Sequence, residues 1–65
     1  MIFSERLAKL MAEHHETKYR VSKIVGVHQS TVNYWLTNKS MPQLEHARKL
    51  ADHYNCSIEE LLAND

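Results

Sequence analysis

Apolar side chains return every three or four residues along most of this chain, and the rhythm breaks at a few small or polar residues. Such a period belongs to helices that bury one face. In the first segment Phe3, Leu7, Leu10, Met11 and His14 form one stripe, with Arg6, Lys9, Glu13 and Glu16 on the opposite side. This predicts a core-packing helix from about Ile2 to His15. Thr17 can accept from the free N–H groups of a following turn, so a second helix starts there and runs to about Ile24 or Val25. Its inward residues are Val21 and Val25, and Ser22 is small enough for another helix to cross closely. Gly26 ends it, because glycine takes left-handed backbone without strain.

Val27 and Val32 bracket His28 as a hydrophobic staple, which makes His28 the N-cap of a third helix. That helix runs from Gln29 to about Leu36 or Thr37. Val32, Trp35 and Leu36 give it an apolar face, and Gln29, Ser30, Asn33 and Tyr34 a polar one. The single Trp reads as a plug in the core. Asn38 tolerates left-handed backbone and closes the helix. Lys39 and Ser40 follow in a loop, and Pro42 interrupts the chain before a fourth helix. The fourth spans about Gln43 to Tyr54, with Leu44, Ala47, Leu50, Ala51 and Tyr54 inward and Asn55 closing it. Ser57-Ile-Glu-Glu60 is a capping box stapled by Cys56 and Leu61, so a fifth helix runs from Ile58 to about Ala63. Cys56 is expected as a small buried hydrophobe. The reading is an all-α chain of five helices in one domain, 1–65.

Composition agrees. Sixty-five residues with 43% hydrophobic content, one Gly and one Pro allow a single small domain with a thin core and exclude a disordered composition. No apolar run could span a membrane, and the first residues lack a basic-then-apolar signal pattern. A lone Cys makes no internal disulfide, which fits a reducing cytoplasm. Asn38 and Asn55 each start an Asn-x-Ser match, which carries no weight. Net charge is zero, with eight acids against eight bases. Its distribution is uneven. Between Glu16 and Glu45 there is no acid, while Lys18, Arg20, Lys23 and Lys39 all lie there. A basic face on an otherwise acidic body is the footprint of phosphate contact.

Other chemistries have little support. His14, His15, His28, His46 and His53 with Cys56 invite a metal, yet a structural site needs two converging pairs of ligands. His53-x-x-Cys56 is one pair with nothing to complete it. There is no Gly-rich phosphate loop, no carboxylate cluster and little volume for a substrate cavity. Neither an enzyme, a cofactor, a metal nor a small-molecule substrate is expected.

The stretch Thr17 to Asn38 reads as two short helices around a tight turn at Gly26. Short amide and hydroxyl groups on the second suit base edges in the major groove. It resembles the helix-turn-helix of the phage repressor and Cro class, also called the xenobiotic-response-element family. The residues that carry the resemblance are Thr17, Ser22, Gly26-Val27, Gln29 to Tyr34, Trp35, Leu36, Asn38, Lys39 and Pro42, and it continues through Leu50-Ala51 to the Ser57–Leu62 segment. The resemblance implies a lambda-repressor-like five-helix fold and a prokaryotic or phage-encoded, cytoplasmic transcriptional regulator, a repressor or Cro-like protein. It would bind duplex DNA as a homodimer on a palindromic operator. Base contacts fall to Gln29, Ser30, Asn33 and Tyr34, and backbone contacts to Lys18, His28, Thr31, Lys39 and Ser40. Four positions depart from the family pattern. Lys18 stands where Gln is usual and Asn38 where Gly is usual. Met11 and Leu36 stand where an Arg and an acid often pair, so these two are expected to touch. Family geometry further implies a dimer surface around Met41, Ile58 and Leu62. The rival reading is a helix-turn-helix that binds protein, as in antitoxins or adaptors, for which an exposed Ile24 and Tyr34 would speak.

Overall fold

A computed structural model describes residues 2–63. Five helices follow in order: α1 (Phe3–Glu13), α2 (Lys18–Val25), α3 (Gln29–Leu36), α4 (Leu44–His53) and α5 (Ile58–Leu62), with no strand among the described residues. The boundaries are a residue or two shorter than the apolar period suggests, because the last turns pass into caps.

Each of the first four helices stops in the same way. A residue with positive φ follows the last turn: His15 (55°), Gly26 (85°), Asn38 (61°) and Asn55 (56°). The N–H beyond it then reaches back five residues, from Glu16 to Met11 O, Val27 to Ser22 O, Lys39 to Tyr34 O and Cys56 to Ala51 O, all at 2.8–3.0 Å. These bonds use up carbonyls that a helix end leaves open. The helix starts are more varied. Thr17 Oγ1 accepts from the Arg20 N–H at 3.1 Å. At Ser57 the capping box is complete, the Ser57 Oγ accepting from the Glu60 N–H and the Glu60 carboxylate from the Ser57 N–H, each at 3.0 Å. The Ser57 N–H first, and the Ser57 hydroxyl beside it, hold the Glu60 carboxyl below the usual carboxylate range.

One core runs through all five helices. Phe3, Leu7 and Met11 of α1 meet Val21 and Val25 of α2, Val32 and Trp35 of α3, Leu50 of α4 and Leu61 of α5. Trp35 lies at its centre, 1% exposed, edge-on to Phe3 with ring centres 6.5 Å apart. Met11 is buried and Leu36 packs half-buried against the same core, so neither points to solvent. Ser22 is buried, and its hydroxyl donates to the Tyr19 carbonyl at 2.6 Å, which leaves no unmatched polar group where α2 meets α3.

Several expectations need correction. His14 is exposed rather than part of the core stripe, because it falls at the cap of α1, although its ring stacks edge-on against Tyr54. Leu44 is 60% exposed, since it is the first residue of α4 and overhangs the core. Cys56 is only half-buried, in the α4–α5 turn, where burial and the nearby Glu60 push its thiol pKa up against the pull of Arg6. Two charged residues assigned to the solvent side of α1 turn inward. Arg6 is half-buried and its Nη1 donates to the Leu61 and Ala63 carbonyls at 3.2 and 2.6 Å, fastening the end of α5 to α1. The Glu16 side chain is 4% exposed and ties the α1–α2 turn to α4.

Candidate nucleic-acid interface

Turning 100° per residue, α3 must put Val32 and Trp35 inward, which sends Gln29, Ser30 and Tyr34 to the far side. All three are exposed there, Tyr34 at 47%. Asn33 lies at the edge of this face nearest α2 and is half-buried. Thr31 falls on the flank, also half-buried, so it stands beside the exposed polar group rather than within it. His28 precedes the helix with extended backbone (φ −77°, ψ 155°) and an exposed ring that makes no capping bond. The first N–H groups of α3 therefore keep no side-chain acceptor from their own N-cap, as suits an end that meets an acceptor from outside.

Lysines stand at both ends of the polar face. Lys18, the first residue of α2, donates from Nζ to Asn33 Oδ1 at 2.7 Å, joining the two helices of the motif across their outer surface. At the other end the Lys39 ammonium sits 5.9 Å from the centre of the Tyr34 ring, close enough for a cation–π attraction that holds both near α3. Ser40 is exposed in the same loop. On α2 a second such pair forms, Lys23 Nζ lying 5.2 Å from the centre of the exposed Tyr19 ring. Sequence patterning gave no reason to single out Tyr19. An aromatic four residues before a lysine on one helix was the signal available.

The motif is held to the body by two polar links. Lys49 Nζ donates to the Val25 carbonyl at 3.3 Å, closing the C-terminus of α2 beside the left-handed Gly26. Glu16, one residue before the Thr17 cap, accepts from the Tyr54 hydroxyl at 2.7 Å and bonds the His53 Nε2. Burial alone would raise the Glu16 pKa. The bonds from Tyr54 and His53, with the nearby His53 and His14 rings, outweigh it and hold the carboxyl below its ordinary value. The same cluster raises the Tyr54 pKa, through burial first and the facing carboxylate second. This cluster was not read from the sequence.

No group of three His, Cys, Asp or Glu side chains among the described residues is placed to hold a metal ion. No described helix is long and apolar enough to cross a membrane.

The sequence profile of the Cro/C1-type HTH DNA-binding domain matches residues 6–64. The chain belongs to this family. The Cro/C1-type domain is a DNA-binding unit of the transcription-regulator type, and the resemblance read from Thr17 to Pro42 is borne out. No curated protein sequence matches the chain. Among solved structures, a transcriptional regulator from Listeria innocua superposes with a TM-score of 0.91 at 28% identity, covering 97% of this domain and 59% of that chain. The SOS-response transcriptional repressor LexA from Eubacterium rectale gives a TM-score of 0.90 at 30% identity over 98% of this domain and 68% of that chain. The P22 c2 repressor, solved in complex with a synthetic operator, gives 0.92 at 23% identity over 100% and 98% of the two chains. At that identity the P22 match speaks for the fold, and it confirms the lambda-repressor-like arrangement of five helices.

Proposed function

We propose that this Cro/C1-type domain reads duplex DNA by laying α3 in the major groove, as part of a prokaryotic, cytoplasmic transcriptional repressor or Cro-like regulator. The observation that carries the reading is the exposed polar face of Gln29, Ser30 and Tyr34, with Lys18 and Lys39 at its two ends and no acidic residue between Glu16 and Glu45. Gln29, Ser30, Asn33 and Tyr34 contact base edges, and Lys18, His28, Thr31, Lys39 and Ser40 contact the backbone. Phosphate contacts supply most of the affinity and α3 most of the specificity. One short helix reads too few base pairs alone, so a homodimer on a palindromic site completes recognition. A groove lined by Ile2, Phe3, Asn38, Met41 and Leu62 brings Met41 and Leu62 together and supports self-association on that side, with Met41 53% exposed; Ile58 lines a separate groove with Arg48 and Asp52. Sedimentation should give a dimer on a palindromic duplex; a monomer both free and bound would remove that part. The protein-binding alternative loses one support, because Ile24 is half-buried against the core.

The test separates the two kinds of contact. The Gln29 amide donates and accepts at once, matching N6 and N7 of adenine, so Gln29→Ala should cost about 1–3 kcal/mol on the selected operator and far less on random DNA. Lys39→Ala should weaken both DNAs about equally and lower the salt slope by about one. Binding of both variants to both duplexes across a salt series decides it. Equal loss on both DNAs for Gln29→Ala would remove α3 from the groove.

A further inference from the structure

We propose that Lys18 sets the base preference of Asn33, making it a reader of guanine rather than adenine; this rests on the reading of α3 as the groove-facing helix. An ammonium donates hydrogen bonds and accepts none. The Asn33 atom 2.7 Å from Lys18 Nζ is therefore the carbonyl oxygen, and the amide cannot turn over while that bond holds. A free asparagine suits adenine because it offers an acceptor to the N6 amino group and a donor to N7 together. One of the two lone pairs on the Asn33 oxygen is bound to a cation, and that cation repels an incoming amino group at the other. What this edge of α3 then presents most readily is donors: the Nδ2 hydrogens and the unused hydrogens of the ammonium.

Guanine presents two acceptors, N7 and O6, on its major-groove edge, which is what a pair of donors needs. Adenine offers one acceptor beside a donor, thymine the single O4, and cytosine a donor. The bond also explains why a lysine is tolerated at the first position of α2, where the helix dipole disfavours positive charge. The negative end of the Asn33 amide dipole faces it. Lys18 thus acts on specificity through Asn33 in addition to its backbone contact, which by itself carries no sequence information.

The experiment selects bound duplexes from a random pool with the wild type, Lys18→Met and Asn33→Ala at one salt concentration. Helical content is checked by circular dichroism, and Lys18 is exposed, so its replacement leaves the core intact. The wild type should fix guanine at one position per half-site, and Asn33→Ala should lose that preference. In Lys18→Met the same position should move toward adenine, the guanine-to-adenine affinity ratio falling about ten-fold, with other positions unchanged. An enriched motif that Lys18→Met leaves intact, with only uniformly weaker binding and a flatter salt dependence, overturns the proposal alone. A wild-type pool with no enrichment removes the groove reading of α3 and the proposal with it.

Discussion

Trp35→Ala should leave the domain without a cooperative folded state at room temperature. Trp35 is 1% exposed, and it packs against Phe3 of α1 and His46 of α4, with ring centres 6.5 and 6.1 Å away. Truncating a buried aromatic of this size costs about 3–5 kcal/mol, because the hole cannot collapse fully. A domain of this length has about 3–10 kcal/mol of stability in all. The loss is therefore comparable with the whole. Urea unfolding followed by far-ultraviolet circular dichroism measures it, since the variant also lacks the only tryptophan. A sigmoidal transition within about 1 kcal/mol of the wild type would contradict the assignment of Trp35 as the centre of the core.

The second large effect belongs to Glu16. Its carboxylate accepts from Tyr54 and bonds His53, so Glu16→Ala strands two partners and should cost about 1–3 kcal/mol for each one left dry. The dependence on pH follows from the carboxyl being held below its ordinary value near 4.5. The folded state then binds this proton less readily than the unfolded chain. The contribution is complete above pH 4.5 or so and is lost as pH falls through the lower folded value. The stability gap between the wild type and Glu16→Gln should accordingly be widest near neutrality and shrink toward pH 3. Urea midpoints for both proteins across that range give the answer, and a gap that stays constant would show that the Glu16 charge is not involved. Other acids, Glu60 among them, titrate alike in both proteins and cancel in the difference.

The fold was legible in the sequence where a local rule had one outcome. Thr17, Gly26 and Ser57 stand where cap and turn chemistry allow few alternatives, and the helices start and stop there. The outer face of α3 was legible by elimination, because Val32 and Trp35 must both face inward. Arg6 and Glu16 were not legible. A helical pattern treats a charged residue as solvated, whereas their partners lie at Ala63 and His53, set by how α5 and α4 close over α1. Leu44 failed for the opposite reason: its period was right, but the first residue of a helix can overhang the core it points toward. Lys18 and Asn33 were each expected at the DNA surface. Their bond depends on the crossing of α2 and α3, which no spacing along the chain encodes.

The clasp between Arg6 and the last carbonyls of α5 has a kinetic meaning. Its two halves are 57 residues apart, nearly the full length of the described chain. Pairs such as α2 with α3 and α4 with α5 need only a short turn to meet, and short closures come first. The clasp cannot form until the chain has already doubled back on itself, so it ends the folding sequence rather than guiding it. On the return path it is expected to be the first contact to let go. The five residues of α5, held by Leu61 with Ile58 and Leu62 beside it and by this bond, can then lift from α1 while α2 and α3 remain seated around Trp35. The helices proposed to face DNA are therefore expected to open more slowly than α5, which amide hydrogen exchange would measure.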